Sequence, residues 1–87
     1  MPGSTTEIIR SGVPFLVQTQ DNGPLARTVE TLVYRRGRLV YSRKASWHAF
    51  LGMPDLAARI ARLIEDQHRE VGGDLAAGRL DARLFMD

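Results

Sequence analysis

Two residues of this 87-residue chain have the spacing of a helical metal pair: Glu65 and His68, at i and i+3. A carboxylate and an imidazole so placed on one helix aim at the same point, as in di-metal carboxylate sites. Such a site needs further carboxylates from facing helices, and the apolar pattern here supports one long helix. A second copy of the chain would supply a second pair, with His48 as an added imidazole. The Glu-x-x-His spacing also arises by chance in charged helices. The residues read better as a solvated helix face or a helix hydrogen bond, and no metal ligand is assigned.

Other arrangements carry less chemistry. Ser42, Ser46 and His48 fall close together, but no acid nearby in sequence orients the histidine as a base, and turn capping accounts for them. Gly72-Gly73 follows a helical pattern rather than a strand, which is not the setting of a phosphate loop. Trp47 and Phe50 read as a plug where sheet meets helix rather than a ligand platform. Thr19-Gln20-Asp21-Asn22 has the composition of a turn. The chain has no cysteine, which excludes disulfides, thiolate chemistry and cysteine-bound zinc. The expectation is a protein that is not an enzyme, with no catalytic residue and no cofactor.

Charge is more informative. The net charge is +2. Residues 1–54 hold seven basic and three acidic side chains, whereas residues 55–87 hold five and seven. No Asp or Glu occurs within 31–54, where Arg35, Arg36, Arg38, Arg43 and Lys44 sit. Arg forks onto phosphate or carboxylate and stacks on rings, and Tyr34 and Tyr41 interleave with these cations. They form a candidate anion or nucleic-acid site.

The element that carries them is a hairpin, Thr28–Lys44, built from β-branched and aromatic residues around Arg35-Arg36-Gly37. A type I turn over Arg35-Arg36 with a left-handed Gly37 bulge sets Val33 opposite Leu39 and Thr31 opposite Tyr41. One face then carries Val29, Thr31, Val33, Leu39 and Tyr41, with Arg43 at its end. The other carries Glu30, Leu32, Tyr34, Arg38, Val40, Ser42 and Lys44. Val13–Gln20 alternates as a preceding strand, and Asp21-Asn22-Gly23-Pro24 is the strongest turn signal. Residues 1–11 read as disordered, as a helical turn, or as the start of the first strand. Beyond the hairpin, Pro54 and Asp55 suit a first helical turn, and Leu56, Ile60, Leu63, Ile64, Val71 and Leu75 form a helical stripe.

The expected fold is α+β in a single domain, 1–87. A three-stranded antiparallel meander (13–20, 26–35, 38–44) precedes a long C-terminal helix (54–77), in which Gly72-Gly73 marks either a break or the close approach of another backbone. The order of elements resembles the double-stranded-RNA-binding domain in topology alone. The twelve residues before Val13 are short and polar for that family's first helix. Asp55 stands where its second helix opens with a lysine cluster.

One helix covers one face of such a sheet. The other face leaves Leu16, Leu32, Tyr34 and Val40, and the 79–87 tail adds Leu84, Phe85 and Met86. That tail packs on the domain or on a partner. Leu16, Leu32, Tyr34, Val40, Leu84 and Phe85 are the expected oligomer or partner interface. The functional expectation is a homodimeric adaptor or assembly subunit, with another protein as partner, and nucleic-acid binding through the Arg-rich hairpin as the alternative. No run is long enough to span a membrane, and the first residues lack the basic-then-apolar pattern of a signal peptide, so a cytoplasmic location is expected.

Overall fold

A computed structural model of the chain describes residues 3–85. Met86 lies outside them. Four strands, rather than the three expected, form one antiparallel sheet in the order β1-β2-β3-β4: β1 (Gly3–Arg10), β2 (Val13–Asp21), β3 (Thr28–Arg35) and β4 (Arg38–Ser46). The added strand occupies the place of the first helix in the RNA-binding order, so that topological likeness ends there.

Two hairpins share one device. Ser11 and Gly12 have φ of 54° and 77°, and Arg36 and Gly37 have φ of 53° and 78°. Positive φ at both central residues is the type I′ turn, whose twist matches the twist of the strands it joins. Glycine adopts that region freely, whereas Ser11 and Arg36 are held in it against their preference. The expected type I turn with a glycine bulge is therefore replaced by a two-residue loop closed by Arg35 and Arg38. The irregularity lies further in, between Val33 and Tyr34. There Val33 faces Tyr41 and Tyr34 faces Leu39, with Val40 the extra residue. The two-residue turn sends Leu39 to the opposite face from Val33, where the sequence had placed them together, and the bulge returns Tyr41 to the face of Val33. Residues Tyr41–Lys44 keep the faces assigned to them, because their register differs from the expected one by two residues and side chains alternate with period two.

Between β2 and β3 the Asp-Asn-Gly-Pro signal produces a helical turn, α1 (Gly23–Ala26), closed by Arg27 in the left-handed region. Asp21 Oδ1 accepts from the Gly23 amide at 3.0 Å and from Trp47 Nε1 at 3.1 Å, tying the turn to the end of β4. Pro14 lies one residue outside the β2–β3 ladder, which begins at Phe15, so an interior strand tolerates it.

After a short 3₁₀ turn at His48–Phe50, α2 runs unbroken from Leu56 to Ala76 through Gly72-Gly73. Of the two readings of Gly72-Gly73, the break is absent, and the helix starts two residues beyond Pro54. Gly72 is where the helix approaches β1: a Cβ there would meet Ile8 Cδ1 at 3.2 Å, whereas one on Gly73 would meet nothing. A final turn, α3 (Asp81–Leu84), folds under the sheet.

The core lies between one face of the sheet and these helices, in two clusters. Phe15, Val17, Val33, Val71, Leu75, Leu80 and Leu84 form one, with Val40 and Tyr41 against it. Val29, Trp47, Ile60 and Ile64 form the other. A polar belt separates them. Gln67 Nε2 is 3.0 Å from the Arg43 carbonyl and 3.1 Å from Thr31 Oγ1. Thr31 and Thr19 hydroxyls lie 2.8 Å apart, and Thr19 Oγ1 lies 2.8 Å from His68 Nδ1. His68 Nε2 reaches Thr6 Oγ1 at 2.9 Å.

Candidate functional site

The sheet has a covered face and an open one. Its four strands place side chains in rungs on the open face. Glu7, Leu16, Tyr34 and Leu39 form one rung, Thr5, Gln18, Leu32 and Ser42 the next, and Gly3, Gln20, Glu30 and Lys44 the third. Ile9 and Pro14 stand at the turn end. Residues of α2 and α3 pack with the side chains of the covered face, so the rungs face away from both helices. Ile9 is 67% exposed, Leu39 50% and Leu16 39%. Leu32 and Tyr34 are half-buried by their neighbours on the central strands. These five form an apolar patch around a shallow groove lined by Glu7, Pro14, Leu16, Gln18, Tyr34 and Arg36.

Leu16, Leu32 and Tyr34 thus belong to one surface, joined by Ile9 and Leu39, which sequence reasoning did not assign to it. Ile9 was hidden because β1 was not recognised: GSTTEIIR carries the β-branched residues of a strand but no apolar alternation. Val40 and Leu84 lie elsewhere. Val40 packs against the first core cluster, and Leu84 is wholly buried within it. Phe85 meets Phe15 edge-on at 5.7 Å, so the tail packs on its own domain.

The five cations of the hairpin divide. Arg43 is on the covered face, where it donates to Asp74 at 3.0 Å and to the Tyr41 hydroxyl at 2.8 Å. Arg43 and Arg83 also stack near the Tyr41 ring, at 5.5 and 5.4 Å from its centre. Arg35 and Arg38 share the rung next to the turn on that same side. Lys44 lies on the open face across from Glu30, and Arg36 lines the groove beside Tyr34. No single surface collects all five.

His68 does not stand with Glu65 in a ligand pair. Both its ring nitrogens are engaged by threonines, and Glu65 is exposed. Among the described residues no group of three or more His, Asp or Glu side chains converges for a metal. Gln67 Nε2 donates to the Arg43 carbonyl and to Thr31 Oγ1, and hydrogen bonds between Thr31 and Thr19 and between Thr19 and His68 Nδ1 carry the belt across the sheet to Thr6 at His68 Nε2. Burial pushes its pKa below the usual imidazole value of 6.5. Ser42, Ser46 and His48 are exposed, and His48 Nδ1 lies 3.3 Å from Arg27 Nη1 while its amide is capped by Ser46 Oγ.

Among the described residues no helix is long and apolar enough to cross a membrane. Comparison with protein-family models, with curated proteins and with solved structures gives no match.

Proposed function

We propose that this chain is a small non-enzymatic protein–protein interaction module, a homodimeric adaptor or assembly subunit that docks through the open face of its sheet. One observation carries the reading. Ile9, Leu16, Leu32, Tyr34 and Leu39 lie together on the only broad face of the sheet that α2 and α3 leave uncovered. Contiguous apolar patches of this kind mark association surfaces. The cysteine-free composition suits a reducing compartment such as the cytoplasm.

The scale of the face suits a second copy. Four strands at ~4.8 Å and seven residues at ~3.3 Å span roughly 19 by 23 Å. Two such faces together come to roughly 900 Å² in plan, the scale of a weak, reversible contact, for which an affinity of order micromolar or weaker is expected. The alternative, nucleic-acid binding through the hairpin, is weakened by the division of its cations between two faces.

The test is molar mass by light scattering from about 1 to about 300 µM, for the native chain and Leu16→Glu. A mass that rises to two chains, and stays at one in the variant with the circular dichroism unchanged, supports the reading. A single-chain mass throughout overturns it. A native chain that binds single-stranded nucleic acid with a steep salt dependence while remaining monomeric favours the alternative.

A further inference from the structure

On the open face, β3 and the turn that follows it read Glu30, Leu32, Tyr34, Arg36 at alternate positions: acid, apolar, apolar, base. The order is complementary to its own reverse. We infer that two copies dock β3 upon β3, antiparallel, about a two-fold axis perpendicular to the strands, with Glu30 of each chain against Arg36 of the other and Leu32 against Tyr34. This rests on the open-face dimer proposed above and specifies its register.

A two-fold interface brings the same patch of both chains together, so a contact i to j is made twice. The axis that passes over Val33 exchanges position 30 with 36 and 32 with 34. The apolar pair then lies at the centre and the two ion pairs at the rim, the usual division of an interface. Glu30 has a carboxylate oxygen to give: Oε1 accepts from Asn22 Nδ2 at 3.2 Å, and no ion pair within the described residues involves Glu30 or Arg36. Arg36 is held over the groove by its left-handed turn, at φ 53°.

The competing axis, parallel to the strands, fits less well. It sets β3 upon β2, which places Leu32 on Gln18, Arg36 on Pro14 and Glu30 on Gln20. That axis brings neither charge an opposite charge from the partner, so Glu30 keeps only its own Lys44 across the strands and Arg36 only its own Glu7 in the groove, whereas the first axis adds a partner charge to each.

The experiment is a charge-exchange cycle read by sedimentation equilibrium at low and high salt: Glu30→Lys, Arg36→Glu, and the double variant. Each single change sets like charges together at both symmetric contacts and is expected to weaken the dimer at least ~10-fold at low salt. The double variant restores both pairs and is expected to return within ~3-fold of the native dissociation constant, and the difference narrows in high salt. Unaltered affinity in the single variants, or no recovery in the double one, overturns this register while the native dimer still supports the open-face reading. A native chain that is monomeric overturns both. Circular dichroism of each variant separates a lost contact from a lost fold. Leu39→Lys serves as a second route into the same face without touching the turn or the Asn22 contact. It too is expected to weaken the dimer, and unchanged affinity would remove Leu39 from the contact area.

Discussion

Arg10 lies across Gly78 to reach Asp81, with Nη2 2.8 Å from Oδ2 and Nε 3.1 Å from Oδ1. A Cβ on Gly78 would collide with that guanidinium, and Gly78 has φ 84°. The last strand-bound residue of β1 is thereby clamped to α3 through the one residue type that leaves room. The pair is partly exposed, so Arg10→Ala alone is expected to cost little. Gly78→Ala is expected to cost more, about 1–2 kcal/mol, from backbone strain and collision together. Urea unfolding of the two variants and their combination provides the check. In the double variant the collision is gone, and the combined loss falls short of the sum.

Gly72 and Gly73 separate two effects that usually travel together. Alanine is worth up to ~1 kcal/mol over glycine in a helix interior. Gly73→Ala meets nothing and is expected to raise stability by about that amount. Gly72→Ala has the same helical gain but crowds Ile8 Cδ1 at 3.2 Å, so it is expected to gain clearly less. Thermal unfolding of both variants tests the order.

Gln67→Met keeps volume and removes the donor. The Arg43 carbonyl then loses its side-chain partner at 3.0 Å, and Thr31 loses an incoming hydrogen bond. A loss of about 1–3 kcal/mol is expected in chemical denaturation. A neutral outcome would show that water reaches the belt.

The belt also sets a pH dependence. Neutral His68 has one ring N–H for its two threonine contacts, and protonation turns both ring nitrogens into donors, toward Thr6 and Thr19. The folded pKa lies below the unfolded value of 6.5, because burial opposes the charge. Below that value the unfolded chain takes up the proton first, so stability is full above about pH 6.5 and falls as pH drops toward the lower folded value. His68→Gln is expected to remove this step. A second loss follows near and below pH 3.8. There Asp74, whose carboxyl is held low by hydrogen bonds from Arg79 and Arg43, and Asp81, held low by Arg10, become protonated. Unfolding free energies at a series of pH values, native against variant, distinguish the two steps.

The class of fold, the hairpin and the helical stripe were legible because they rest on periodicity. Leu56–Leu75 repeats its apolar residues at helical spacing, and Val29, Thr31 and Val33 alternate toward the core. β1 was not legible, because an edge strand with Thr5, Thr6 and Glu7 has no apolar period to detect. The position of Leu39 depended on the turn, because a loop of two residues instead of three inverts its face without changing composition. The belt was hidden because Gln67 and His68 interrupt the apolar stripe, and only their partners on four strands reveal that they complete it. Of the open face, Leu16, Leu32 and Tyr34 could be read from alternation, whereas Ile9 and Leu39 needed the missing strand and the turn length.

The ladders of the sheet join neighbours in sequence, but the contacts that seal it do not. Thr6 meets His68, Ile8 meets Gly72, and Arg10 meets Asp81. The whole meander therefore leaves a ribosome before the residues that shield Phe15, Val17 and Val33 have emerged. The nascent sheet is apolar on both sides until α2 arrives. A chain stalled after Ser46 would present two sticky surfaces rather than one, and would depend on chaperones in a way the finished protein does not.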